Sequence, residues 1–320
     1  MEDVGADLAN SFLFFQKIFG KCPVAHIYAG EIGEHMGVSF PGLIYLSSST
    51  FRTPTKEGGE EIFRAHEVAH QWWANGVDFK TYHDQWISEA FADYSGLWYM
   101  QAALKDNNKF FNVLQDWKKN IINNRKFIFG SGQEAGPIWL GYRTSSSSTV
   151  GDYDLIIYQK GAWVLHMLRN MMLDLQTLNE DRFKNMMREF YQTYVGKRAS
   201  TEDFRAIAEK YCGFKMDWFF NQWVYGTSIP TYKFAYQVNE TSDSKFKVTC
   251  KVQQLNVPDD FLMLVPINVD FGDKKFARLQ VLIKGPLSQF DLPLLPMKPQ
   301  KIFFNDLESI LCEVEYVDWK

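Results

Sequence analysis

No run in this sequence approaches the roughly 20 consecutive apolar residues that a membrane-spanning helix needs, so no membrane span is expected. Nor is there a surplus of positive charge. Lys and Arg number 34 against 38 Asp and Glu, a formal charge of −4. A nucleic-acid partner would find no basic field to draw it in, and that class of function is set aside. Cysteine is scarce and dispersed. Cys22, Cys212, Cys250 and Cys312 form no CxxC pair. That argues against a thiolate metal site or a dense disulfide framework and leaves buried free thiols as the expectation. The opening MEDVGADLAN lacks the basic and apolar regions of a signal peptide. No internal repeat of fixed period recurs. The expectation is a soluble chain, either a short protein or a fragment of a longer cytoplasmic or exported one, with compartment and oligomeric state left open.

What is present is apolar and aromatic: 46% of the 320 residues are hydrophobic and 16% aromatic. That is enough for a large core divided between two domains. Apolar residues fall at helical spacing over 4–19, 60–75, 85–104, 108–123, 153–174, 181–194, 201–211 and 216–225. Short extended runs at 26–29 and 43–46 read as strands, and 53–59 as a loop. The Gly- and Ser-rich stretch 130–151 reads as an exposed loop rather than a catalytic one. After Pro230 the pattern changes to short alternating runs such as YKFAYQV, KFKVTCKV and FLMLVPINV. Their spacing predicts an antiparallel β-sandwich of roughly seven strands. The fold class is therefore α+β, with a mostly helical domain over 1–228, a boundary near 226–230 and a β-sandwich over 229–320.

The chemistry is concentrated in FRAHEVAHQW, residues 63–72, where His66, Glu67 and His70 form an HExxH pattern. On a helix the two histidines stand one turn apart on one face, so both rings can reach one metal ion. With 6 His in 320 residues, chance predicts roughly 0.1 pairs at this spacing, and the central Glu lowers that more than tenfold. Glu67 sits where it can take a proton from a water that the metal activates. A third ligand is needed, and Glu89 supplies it 19 residues after His70, on a second predicted helix. The predicted cofactor is one zinc ion per chain. Asp93, one turn beyond Glu89, is placed to accept the remaining ring N–H of His66 and fix its tautomer. His83 competes as a ligand but reads better as a loop histidine.

HEVAHQWWANGVDFKTYHDQWISEAFADYSG resembles the aminopeptidase N family of gluzincin zinc peptidases, whose pattern is HExxH, eighteen residues and a ligand Glu. YQKGAWVLHML, beginning at Tyr158, looks like the family's YxKGA helix. The resemblance extends to SFLFFQKIFGKCPV and to the C-terminal strands, and so covers nearly the whole chain. It implies a thermolysin-like catalytic domain, an immunoglobulin-like β-sandwich, a peptide substrate and Tyr158 as donor to the developing oxyanion. The β-rich saddle domain and the large helical domain of typical members are missing, which would leave the cleft open to longer peptides.

One departure bears on specificity. MGVSFPGLIYL occupies the place of the family's GxMEN strand, so Ser39 stands where a glutamate would bind the substrate's α-amine. A hydroxyl cannot pair with an ammonium as a carboxylate does. Glu31 or Glu34 would substitute only if the register slipped. Gly37 and Ser39 are the substrate-binding candidates on this strand, which could also pair with a peptide backbone. Arg143 is a candidate for a substrate carboxylate. Ser88, in place of the family's asparagine before Glu89, is expected to affect packing only. Aminopeptidase-like hydrolysis is the first reading. A zinc endopeptidase with an open cleft and an inactive peptide-binding relative remain as alternatives; hydrolysis of an epoxide, known in one branch of the family, has no positive sign here.

Overall fold

Phe15, Ile18 and Phe19 recur at helical spacing and turn inward, which makes α1 (Glu2–Phe19) an amphipathic cover over the helical core. The computed structural model describes residues 2–33, 36–52, 58–124 and 135–319. Most of the predicted loop at 53–59, the first part of that at 130–151, and Glu34 lie outside the described residues. Next come β1 (Tyr28–Ile32), β2 (Val38–Phe40) and β3 (Leu43–Ser47). They form a sheet in the order β1-β3-β2, with β3 parallel to β1 and antiparallel to β2. β1 starts later than its predicted 26–29.

Helix α2 (Gly59–Ala69) carries the HExxH segment, and α3 (Trp86–Ala102) lies against it. Buried positions surround α3 on nearly every side, as expected of a helix enclosed by others. Beneath α2, Trp72 and Trp73 meet the rings of Phe15 and Phe19, with Phe19 and Trp73 centroids 4.8 Å apart. Arg64 of α2 forms a buried 2.7 Å ion pair with Asp7, which ties α1 to the same helix.

α2 stops short of its predicted end at 75. After His70 the bonds tighten to an i to i+3 pattern at Gln71 and Trp72, and Ala74 turns left-handed at φ 102°. The reversal lets β4 (Val77–Phe79) pair in parallel with β5 (Lys197–Ala199), a pair that the apolar pattern did not predict.

α4 (Asn107–Asn124) follows α3, and a 3-10 stretch spans Ile138–Thr144. The single helix predicted over 153–174 begins instead as a π-helical stretch, Asp154–Lys160, and continues as α5 (Gly161–Met172). α6 (Asp181–Tyr194), α7 (Thr201–Cys212) and α8 (Asp217–Trp223) complete the helical part. The Ser200–Asp203 capping box starts α7 and Gly213 at φ 83° stops it.

After residues 226–230, which carry neither helix nor strand, come β6 (Thr231–Glu240), β7 (Phe246–Leu255), β8 (Leu262–Gly272), β9 (Lys275–Lys284), β10 (Leu287–Asp291), β11 (Lys301–Phe304) and β12 (Glu313–Tyr316). They form two sheets, β10-β7-β6-β12 and β11-β8-β9. Phe234 of one stacks on Phe304 of the other at 5.0 Å. The expected antiparallel pattern fails at one place, since β12 runs parallel to β6. The chain is thus of mixed α and β structure. All four cysteines are buried and free, and among the described residues no helix is long and apolar enough to cross a membrane.

Candidate metal centre

His66 and His70 come from the end of α2, where the helix geometry brings their rings to 4.5 Å between centroids. Each ring is oriented through its other nitrogen. His66 Nδ1 lies 2.7 Å from Asp93 Oδ1, and His70 Nδ1 lies 2.9 Å from the Trp73 carbonyl oxygen. Both partners accept, so both Nδ1 atoms carry protons and each Nε2 is turned toward the other across the site. The two Nε2 atoms are 2.9 Å apart. Glu89 Oε2, from the first turn of α3, lies 3.4 Å from His70 Nε2 and 3.9 Å from His66 Nε2. Two imidazole nitrogens and a carboxylate oxygen this close need a proton or a metal ion among them. These three residues form a set that could hold a metal ion, and two imidazoles with one carboxylate suit zinc.

The electrostatics point the same way. Burial works against charge on His66, but the hydrogen bond to Asp93 and the carboxylates of Asp93, Glu67 and Glu89 override it and raise its pKa to about 9. Burial also pushes Glu89 up, yet the bond to His70, the two imidazoles and the Tyr158 hydroxyl bring it down to about 2. The pocket favours positive charge at one point and an ionised carboxylate next to it.

Glu67 is buried beside the set, and its Oε2 has no hydrogen-bond partner. Burial raises its pKa, with His66 and His70 acting in the opposite direction. Gly37 packs against this carboxylate so closely that a Cβ there would stand 2.1 Å from Glu67 Oε1. Tyr158, on the π-helical stretch, lies with its ring parallel to that of His66 at 5.8 Å, and its hydroxyl donates to Glu89. Burial and the charge of Glu89 push its own pKa well up.

These groups open onto a cleft of about 850 Å³ between α2, α4 and the π-helical stretch. Met36 and Gly37 form its lip, and Asn112, Asp116, Trp117 and Asn120 of α4 form a wall. Sequence pattern alone does not reach that wall, because an amphipathic helix shows which face is polar but not what the polar face looks onto.

Other candidates lie elsewhere. The Ser39 hydroxyl accepts from Gln71 Nε2 at 2.8 Å and is not among the described residues that line the cleft. Arg143 is exposed, with its guanidinium 4.6 Å from the Tyr82 ring, and does not line the cleft either. His83 stacks on Trp139 at 3.7 Å, outside the ligand set. Glu31 pairs with Arg52 on the surface, one strand beyond β3 from β2. Gln71 was not singled out, yet its side chain bonds Gly42 N, Ser39 Oγ and the Phe40 carbonyl, and so fixes β2 beside the end of α2.

Residues 48–223 match the family described as the Peptidase family M1 domain. Aminopeptidase M1-B of Oryza sativa subsp. japonica is 25% identical over 185 residues, covering 58% of this chain and 20% of that protein. Endoplasmic reticulum aminopeptidase 2 of Homo sapiens is 25% identical over 152 residues, covering 46% and 14%. The chain thus spans a fifth or less of the length of these relatives. The crystal structure of Legionella pneumophila aminopeptidase A in complex with aspartic acid superposes with a TM-score of 0.69 at 11% identity. It covers 98% of this chain and 35% of that one, a likeness of fold.

Proposed function

The chain belongs to peptidase family M1, and on that premise we propose that it is a zinc-dependent peptidase that removes N-terminal residues from peptides. In this reading residues 1–228 are a thermolysin-like catalytic domain and residues 229–320 an immunoglobulin-like β-sandwich. His66, His70 and Glu89 hold one zinc ion per chain. When bound, zinc polarises the scissile carbonyl and makes water a nucleophile near neutral pH. The observation that carries the proposal is the convergence of the His66 and His70 Nε2 atoms, 2.9 Å apart, with Glu89 Oε2, and beside them Glu67, whose buried Oε2 has no hydrogen-bond partner.

Glu67 takes the proton of the attacking water and delivers it to the leaving amine. Its burial favours this, because a carboxyl whose pKa lies above the ordinary value both accepts and returns a proton readily. Tyr158 turns its hydroxyl from Glu89 to the substrate oxygen that becomes negative as the carbonyl is attacked. Asp93 holds His66 in the tautomer that presents Nε2. The Met36–Gly37 backbone at the lip of the cleft offers an extended peptide N–H and C=O groups to pair with.

Glu67→Gln tests the assignment. Zinc content should be unchanged while kcat falls about 10²- to 10⁴-fold; near-normal turnover would remove Glu67 from its role. The absence of a carboxylate on β2 favours a second reading, a zinc endopeptidase. An aminoacyl anilide and an internally quenched N-acetylated peptide separate the two. Cleavage of the blocked peptide alone selects the endopeptidase, and silence on both with zinc bound selects a peptide-binding protein.

A further inference from the structure

The cleft holds more negative than positive charge. Among its described lining residues Lys109 is the one lysine and there is no arginine. Glu61 already holds that lysine at 3.1 Å. Against it stand Glu67, Asp93, Asp116 and Asp154. Asp93 is occupied by His66. Asp154 is exposed to the cleft and has no hydrogen-bond or ion-pair partner among the described residues. A carboxylate left without a counter-charge in a recess it shares with other carboxylates is an electrostatic cost that a cationic ligand relieves.

Position narrows the ligand. Asp154 opens the π-helical stretch, and Tyr158 lies four residues later on it, so the two side chains leave nearly the same face about one turn apart. Asp154 shares the lining of one cleft with His66, Glu67, Asp93 and Tyr158, and burial, with the charges of Asp93 and Glu89, raises its pKa. Asp116, another cleft carboxylate with no hydrogen-bond or ion-pair partner among the described residues, is on α4. A cation reaching Asp154 while a carbonyl lies at the metal centre must therefore be close to that carbonyl in the substrate. In a peptide the α-ammonium of the first residue is separated from its carbonyl carbon by two bonds, whereas a lysine or arginine side chain carries its charge much farther out.

We propose that Asp154 is a specificity-determining residue that receives the free α-ammonium of the peptide substrate. This rests on the peptidase reading above and adds to it the group that selects unblocked N-termini. The Ser39 hydroxyl, committed to Gln71, takes no part in it.

The test uses calorimetry on the zinc-loaded full chain with two probes, leucine hydroxamate and isocaproyl hydroxamate, which differ only in the amine. The wild type should bind the amine-bearing probe about 10- to 100-fold more tightly, the usual size of a hydrogen bond to a charged group. Asp154→Asn should bring the ratio close to one with the melting temperature unchanged, Asp154→Glu should restore most of it, and Ser39→Ala should leave it as in the wild type. With leucyl anilide as substrate, Asp154→Asn should raise KM far more than it lowers kcat. A wild type without amine preference, a preference that survives in Asp154→Asn, or one lost in Ser39→Ala overturns the proposal. A protein that binds zinc and neither probe, or no zinc at all, overturns the peptidase reading, and this inference with it.

Discussion

At the scale of single residues, the site depends on two contacts that substitution can probe without touching a ligand. The absence of a Cβ at Gly37 lets the chain before β2 close over the Glu67 carboxylate. Gly37→Ala would set a methyl group 2.1 Å from Glu67 Oε1, so either the carboxylate or the strand must shift. Activity should fall about 100-fold, the scale expected when a reacting group is misplaced by about 1 Å, while zinc content and the circular dichroism spectrum stay as in the wild type. Asp93→Asn keeps the shape but replaces the anionic acceptor of His66. Zinc should bind about 10- to 100-fold more weakly in competition with a chelator; unchanged affinity would show that Asp93 does not tune the histidine. The set His66, His70 and Glu89 was legible because helix geometry fixes where residues four apart point. The surroundings of Ser39 and Arg143 were not legible, because the direction of a side chain on an edge strand or an irregular loop depends on partners, here Gln71 and the Tyr82 ring, that spacing does not reveal.

At the scale of elements, the centre exists because α2 and α3 cross closely enough for Glu89 to reach both histidines. Gly96 of α3 lies at that crossing, and a Cβ there would stand 2.7 Å from the carbonyl oxygen of Ile62 on α2. Backbone cannot yield as a flexible side chain would, so Gly96→Ala should lower stability by about 1–3 kcal/mol and weaken zinc binding as the helices separate. Gly5 of α1 has nothing within 4 Å of its Cβ position. Gly5→Ala should therefore be neutral or raise stability by about 0.5–1 kcal/mol. Equal effects of the two substitutions in denaturant melts would reject the crossing argument. The helices themselves were legible from apolar period, since α6 and α7 need only a buried stripe. The end of α2 and the π-helical start before α5 were not. Both arise where the chain is bent by contacts remote in sequence, β4 with β5 and the walls of the cleft, and local periodicity carries no trace of either.

At the scale of the whole molecule, the helical part and the two sheets meet at a buried histidine. His166 of α5 donates from Nε2 to the Glu308 carbonyl at 3.1 Å and accepts at Nδ1 from the Tyr94 hydroxyl at 3.2 Å. Burial, with the positive charge of Arg169 next to it, lowers its pKa to about 3 from an ordinary 6.5. Between those values the unfolded chain binds a proton that the folded chain refuses, so stability rises with pH across the window and is lost as pH falls through it. Its contribution is complete above pH 6.5. By pH 5 it should have fallen by about 2 kcal/mol, one and a half pKa units at about 1.36 kcal/mol each. His166→Gln can still donate to Glu308 and accept from Tyr94 but does not titrate. Denaturant melts of the wild type and the variant at matched pH isolate this residue, because every other titrating group, the metal ligands included, is common to both. The difference in unfolding free energy should shift in favour of the variant by about that amount between pH 7 and pH 5. Parallel pH profiles would mean that His166 takes up a proton as readily in the folded chain as in the unfolded one, and that its surroundings do not hold the ring neutral.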